Sequence, residues 1–317
     1  MNNFTHFVLP SKIYHRIEQA GINTVNQILT LSSWDIKKLT NLTSDDVLLL
    51  KDVTADSICP TIKRGNDLFK DSVHTSTGFE RIDKIMHGGY RKGTLTELYG
   101  ESGSGKTQLA MQSAIHNWKT GCAYICTEDV FPVKRFEQMK QSISNYNSST
   151  DYGKNIFIEH LTEPQQLLAS VTVHLPKILK NIKLSLVIVD SIAAPYRCEN
   201  TNYIQRAEEM REIAIALIDL AQKYDLAVLC INQVTAAIDT PNECLPSLGL
   251  AWANMISCRL FLHKTNRILD TNTVLSKTIK EQSKDNLFIR KLKIIFSPDL
   301  PENIIDFVIL NIGLYSC

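Results

Sequence analysis

The 317-residue chain has almost no net charge, and it lacks paired cysteines and long apolar runs. With 34 Lys and Arg against 33 Asp and Glu it carries +1 at pH 7, so no overall field draws it to nucleic acid. Any contact with DNA must come from a local patch or a partner subunit. The eight cysteines (Cys59, Cys122, Cys126, Cys198, Cys230, Cys244, Cys258 and Cys317) are dispersed without any C-x-x-C pair. That pattern indicates neither a zinc site nor a disulfide framework, and reads as core or surface thiols in a reducing compartment. No apolar run approaches the ~18 residues of a transmembrane helix, and MNNFTHFVLP lacks the basic start and apolar core of a signal peptide. No internal repeat or low-complexity tract occurs. What remains is an ordinary globular composition, 44% hydrophobic and 21% charged, long enough for one large domain and a small one.

Residues Thr94 to Met111, TLTELYGESGSGKTQLAM, carry the most specific pattern. An apolar run breaks into Gly100-Glu101-Ser102-Gly103-Ser104-Gly105-Lys106-Thr107 and resumes after Gln108 at helical spacing. Strand, G-x-x-x-x-G-K-[ST] loop and helix together make a phosphate-binding P-loop, whose glycines let backbone N–H groups converge on phosphates. The helix N-terminus adds partial positive charge. Lys106 is expected to reach the β- and γ-phosphates of ATP, and the Thr107 hydroxyl to hold Mg²⁺.

Residues 9 to 55 show helical pieces without strand-like alternation: Ser11 to Gln19, Val25 to Leu29, Ser33 to Lys38 and Ser44 to Leu50. Ser33 and Ser44 read as their caps, and Gly21 as a helix stop. The expected organisation is a small all-helical domain over 1–55, a linker over 56–77, and an α/β core over 78–317 with a mostly parallel sheet. Buried strands are expected at Leu95 to Tyr99, Ala123 to Thr127, Ile156 to Glu159, Leu184 to Asp190, Leu226 to Asn232 and Ile256 to His263. Helices are expected at Thr107 to Lys119, Val133 to Ser144, Pro164 to Leu179 and Arg206 to Lys223. A hairpin, Phe288 to Phe296 and Ile304 to Ile312, extends one sheet edge.

The strand LSLVIVDS ends in Asp190, where a carboxylate faces the crevice that holds nucleotide phosphates and Mg²⁺. A second strand ends in Glu128-Asp129, and either carboxylate suits the orienting of an attacking water. A third ends in Asn232-Gln233, an amide pair able to sense a phosphate or to cap a helix.

In order along the chain, TSTGFERIDKIMHGG, TLTELYGESGSGKTQL, YICTED, LVIVDSIA and CINQV resemble the eukaryotic RecA-like recombinases and their paralogues. YICTEDVFPVKRFEQM, PSLGLAWANMISCRL and KLKIIFSPDLP resemble one paralogue subgroup within them. The resemblance implies a RecA-like P-loop ATPase core. It places Glu128 where the family orients the catalytic water, Gln233 where nucleotide state is linked to a DNA-binding loop, and Arg135 where an arginine stacks on adenine. It also implies two loops for single-stranded DNA, at roughly Tyr196 to Gln205 and Val234 to Gly249.

Departures from the family pattern are informative. The second loop carries Asp239 and Glu243 and no Lys or Arg, so it lacks charge to neutralise phosphates. Where the family docks a Phe-x-x-Ala on the next protomer, this chain has Ile58-Cys59-Pro60-Thr61, and Phe69-Lys70-Asp71-Ser72 is an echo at the wrong spacing. The turn Leu42-Thr43-Ser44 replaces a glycine-containing hairpin. A basic run (Lys264, Arg267, Lys277, Lys280, Lys284, Arg290, Lys291, Lys293) reads as solvated surface, with DNA contact as the alternative. The expectation is a nuclear ATP-binding paralogue assisting homologous recombination at DNA double-strand breaks and stalled forks. It would act with other recombinase paralogues, the main strand-exchange recombinase and single-stranded or branched DNA, hydrolysing ATP slowly and under DNA stimulation. Its rivals are an autonomous filament-forming recombinase and a non-hydrolysing scaffold.

Overall fold

The computed structural model describes residues 7–59, 62, 64–65, 73–141, 143, 146–197, 203–236, 244–269 and 287–317. Two compact units divide it, Met1–Lys70 and Asp71–Cys317.

The first unit is four helices, α1 (Ser11–Gln19), α2 (Val25–Thr30), α3 (Ser33–Thr40) and α4 (Ser44–Ile58). Ile13 and Ile17, one turn apart on α1, meet Ile28, Ile36, Val47 and Leu50 in a small core. Gly21 (φ 70°) ends α1, with its N–H on Glu18 O and that of Ile22 on Ile17 O, both 3.0 Å, the paired bonds that only a left-handed residue permits. The caps of α3 and α4 are Ser32 and Thr43, one residue ahead of the expected Ser33 and Ser44. A cap must be extended for its oxygen to reach the third N–H of the helix, and Ser32 (ψ 155°) and Thr43 (ψ 164°) are. Thr43 closes a capping box with Asp46, and α4 runs on to Ile58.

The second unit opens with β1 (His74–Thr75), α5 (Glu80–Ile85) and β2 (Tyr90–Arg91), followed by β3 (Leu95–Gly100), α6 (Lys106–His116), β4 (Cys122–Cys126), α7 (Val133–Lys140) and β5 (Ile156–His160). The single helix expected over Pro164 to Leu179 is α8 (Pro164–Ala169) and α9 (Leu175–Leu179) joined by a π-turn, Ser170–His174, whose Ser170 and His174 bond Glu159. Then come β6 (Leu186–Asp190), α10 (Tyr203–Tyr224), β7 (Ala227–Asn232), β8 (Val234–Ala236), β9 (Cys244–Pro246) and α11 (Gly249–Ala253). The chain finishes with β10 (Cys258–Ile268), β11 (Phe288–Phe296), β12 (Ile304–Leu310) and β13 (Gly313–Ser316).

Nine strands form one sheet in the order β13-β12-β11-β10-β3-β7-β6-β4-β5. From β10 to β5 every pairing is parallel, and from β10 to β13 every pairing is antiparallel. The strand expected to run to Ile312 stops at Leu310, and Gly313 (φ 119°) turns the chain into the additional strand β13. A Cβ there would lie 2.6 Å from Gln112 Oε1, so the turn requires glycine. Helices cover both faces, which is why the central strands read as unbroken apolar runs. On β6, Leu186 and Ile188 pack towards α5, α6 and α7, whereas Val187 and Val189 pack towards α10. The same period of two carries Asp190 to the α6 face.

Candidate nucleotide-binding site

β3 hands directly into the glycine loop. A Cβ on Gly100 would lie 2.1 Å from Leu262 O of β10, and Gly103 (φ 72°) and Gly105 (φ 113°) take left-handed backbone. The loop is thereby free to wrap tightly before α6 starts at Lys106. Lys106 Nζ donates to Gly100 O (2.7 Å) and Glu101 O (2.9 Å). Burial lowers its pKa, against the pull of Asp190, Glu128 and Glu101. Ser104 Oγ is buried in the loop without a partner, and Glu101 faces away to accept from Cys244 Sγ of β9 (3.5 Å).

Asp190 accepts from Tyr124 Oη (2.7 Å) and from the Thr107 hydroxyl. Burial raises its pKa in spite of those bonds and the nearby Lys106 cation. Above it, Thr127 N donates to Asp190 O (2.9 Å) and Ser191 N to Thr127 Oγ1 (2.9 Å), tying β4 and β6 together where Glu128 emerges. Glu128 is held by three donors. Arg197 grips it as a fork, Nη1 to Oε1 at 2.7 Å and Nη2 to Oε2 at 3.2 Å, and Gln233 Nε2 reaches Oε2 at 3.1 Å. Asp129 lines the same cavity.

Gln233 is set from below by a buried network. Its N–H donates to Asn232 Oδ1 (2.7 Å), and Asn232 Nδ2 donates to Glu97 Oε1 (2.7 Å). Glu97, fully buried, also accepts from Trp252 Nε1 (2.9 Å) and Arg259 Nε (2.5 Å). One carboxylate thus binds β3, β7, α11 and β10 together.

At the other end, Arg135 spends its N–H groups on Gln108 Oε1 (2.6 Å), Asn311 O (2.6 Å), Leu310 O (2.7 Å) and Gln138 Oε1 (3.3 Å). With its edge occupied, its planar face is the surface left for stacking. Arg290 of β11 brings a buried Nε without a partner to the same wall. Between these groups lies a cavity of about 760 Å³, lined by Gly100, Ser102, Gly103, Gly105, Lys106, Thr107, Gln108, Glu128, Arg135, Asp190 and Gln233. Glu101 and Ser104 of the expected set are not on its wall. Arg290, Ile309, Leu310 and Asn311 are on the wall without having been expected, because they come from β11, β12 and the turn that follows it rather than from any motif.

The donor set suits a magnesium nucleotide. An unpaired guanidinium nitrogen and a lysine held only by its own loop are groups awaiting an anion, and Thr107 with Asp190 offers hard oxygen to a cation. Among the described residues no cluster of three His, Cys, Asp or Glu could hold a metal by itself, so any cation here would share its shell with phosphate oxygens or water.

The limbs of the second expected DNA loop pair as an antiparallel ribbon, Val234 opposite Pro246 and Ala236 opposite Cys244. Asp239 and Glu243, residues 198–202 of the first loop, Pro60, Thr61 and the Phe69 to Ser72 echo lie outside the described residues, as do Lys277, Lys280 and Lys284. Several described members of the basic run are engaged by their own fold. Lys264 sits 4.7 Å over the Phe288 ring, and Arg267 and Lys291 pair with Asp306. Among the described residues no helix is long and apolar enough to cross a membrane.

Comparison with known proteins agrees with this architecture. The chain is similar to DNA repair protein XRCC3 of Bos taurus, at 29% identity over 96% of this chain and 95% of that one. It is also similar to DNA repair protein rhp57 of Schizosaccharomyces pombe, at 27% identity over 100% of this chain and 99% of that one. The crystal structure of the RadB recombinase matches with a TM-score of 0.59 over 77% of this chain and 99% of that one, at 22% identity, and shares its fold. The Rad51 family model matches residues 69–316, from just before β1 to the last residue of β13; the chain therefore belongs to the Rad51 family.

Proposed function

We propose that the chain is an ATP-binding Rad51 paralogue that assists homologous-recombination repair of DNA, hydrolysing ATP slowly as one subunit of a hetero-oligomer. The observation that carries it is the convergence of Lys106, Thr107, Asp190, Glu128 and Gln233 at the carboxyl ends of four neighbouring strands around one cavity, where nucleotides bind in open α/β sheets. Lys106 and the loop amides would hold the phosphates, Thr107 and Asp190 the Mg²⁺, and Arg135 the adenine. Bound Mg²⁺ would neutralise phosphate charge. Glu128 would orient a water and accept its proton as the oxygen attacks the terminal phosphorus, the bond to the bridging oxygen breaks and ADP leaves.

The hetero-oligomer is supported by the sheet's outer edge. Among the described residues β5 has no strand beyond it, and an apolar groove of about 430 Å³ beside it is lined by Phe157, Ile158, Leu175 and Ile178. An open strand edge with apolar pockets accepts an extended segment. The chain's own candidate segment, Ile58-Cys59-Pro60-Thr61, lacks an aromatic anchor, so the occupant we infer is a segment of another paralogue. The repair names of the relatives fit this assignment, and we infer a nuclear location from it. Nucleotide titration with Mg²⁺, beside light scattering of the isolated chain with ATP and single-stranded DNA, is the test. Failure to bind ATP, or long homofilaments, would overturn it.

A further inference from the structure

The cavity holds every group an ATPase needs, yet the carboxylate that would take the water's proton is already occupied. A carboxylate offers about four lone-pair positions, and three of those on Glu128 are filled, two by the Arg197 fork and one by Gln233. Gln233 lines the cavity beside Glu128, whereas Arg197 does not, so the fork reaches Glu128 from outside. Its base is fixed: Arg197 follows a single 3-10 turn, Ala194–Tyr196, with its N–H on Ala194 O and its neighbour Tyr196 buried in the core. Its head is open, for the two side chains are 43% and 42% exposed, and an ion pair exposed to that degree is weak and easily exchanged.

We propose that Arg197 is a latch on Glu128, released when a backbone phosphate of single-stranded DNA takes the guanidinium. The latch presupposes Glu128 as the water-orienting carboxylate. A planar fork fits phosphate as well as carboxylate, and a phosphate arriving from solvent captures it without entering the nucleotide cavity. Gln233 alone then keeps Glu128 at the cavity wall, with the fork's two positions freed for water. DNA acts on hydrolysis through one guanidinium shared between two anions. Arg197 is therefore a positioning residue that touches neither ATP nor the attacking water.

ATP turnover of the full chain, with and without oligo-dT, tests this in the wild type, Arg197→Ala, Arg197→Lys and Glu128→Gln. Arg197→Ala should raise DNA-free turnover about two- to fivefold, the range expected when an exposed ion pair is lost, and should abolish further stimulation by DNA. Arg197→Lys keeps the charge without the fork and should fall between. Affinity for a non-hydrolysable ATP analogue should be unchanged in both, showing an intact site. Inorganic phosphate at matched phosphate concentration should leave the wild type unaltered; acceleration by it would overturn the assignment to nucleic acid. Turnover in Arg197→Ala that is lower than, equal to or as undetectable as in the wild type would overturn the latch. Turnover surviving in Glu128→Gln would instead overturn the assignment of Glu128 on which the latch stands.

Discussion

Removing the Glu97 carboxylate should unseat the floor of the site. Glu97 is fully buried and receives Asn232, Trp252 and Arg259. Glu97→Ala strands a guanidinium, an indole N–H and an amide together. Breaking a buried pair by deleting one partner costs about 3–5 kcal/mol, and each kcal/mol moves the melting point of a unit this size by about 2–4 °C, so the expected fall is roughly 6–20 °C. Glu97→Gln keeps the shape and some of the bonds and should cost about 1–3 kcal/mol. The double variant Glu97→Leu with Arg259→Met removes both charges and should lose less than Glu97→Ala alone, because no orphan cation remains. Thermal unfolding followed by circular dichroism reads all three. A Glu97→Ala protein melting within about 2 °C of the wild type would refute the reasoning. So would a double variant less stable than the single one.

Lys106→Ala should weaken ATP binding at least tenfold, about 1.4 kcal/mol, by calorimetric titration, because the amide cradle remains while the cation facing the phosphates is lost. Glu128→Gln should leave that affinity unchanged and abolish turnover, with Asp129→Asn the milder change; the reverse order in a steady-state assay would shift the water-orienting role to Asp129. Burial pushes the Cys126 and Cys258 thiols up to about 12 from the ordinary 9.0. The fold keeps protons that the unfolded chain gives up, so stability should be whole below about pH 9 and decline as pH rises towards 12, read as urea midpoints across that range. At pH 8, iodoacetamide and mass spectrometry should find Cys59, Cys244 and Cys317 modified and Cys122, Cys126, Cys230 and Cys258 protected.

The parts of the site legible in the sequence are those written in contiguous residues. The glycine loop, its lysine and the apolar strand closing on Asp190 each carry their spacing within eight residues or so, and local backbone alone assembles them. The choice between Glu128 and Asp129 has no such local signature, and what distinguishes Glu128 in the fold is its contact with Gln233 and Arg197, 105 and 69 positions away. Arg290 and the turn at Leu310 and Asn311 were illegible for the same reason, since sheet order alone brings them to the loop. Cap positions failed by a single residue because Ser32-Ser33 and Thr43-Ser44 are pairs of chemically equivalent hydroxyls, separated only by which backbone is extended. Gly313 was the one available sign of β13, and a glycine so near a strand end reads equally well as a stop.

The antiparallel strands after β10 give the nucleotide cavity an unusual place in time. A ribosome adds residues in order, and domains fold as they emerge. When residue 269 has emerged, the parallel strands, the glycine loop, Asp190 and Glu128 all exist, yet the wall holding Arg135 in place does not. Leu310 O and Asn311 O are made about forty residues later, and Leu314 N must still reach Gln112 on α6 (2.7 Å). A ligand stabilises only a chain that can bind it, so ATP can reward folding only after Leu310 and Asn311 have been made. A frameshift or stop between residue 269 and Leu310 would therefore yield a chain with an intact phosphate loop and no nucleotide to steady it, a product for proteolysis rather than a partly active protein.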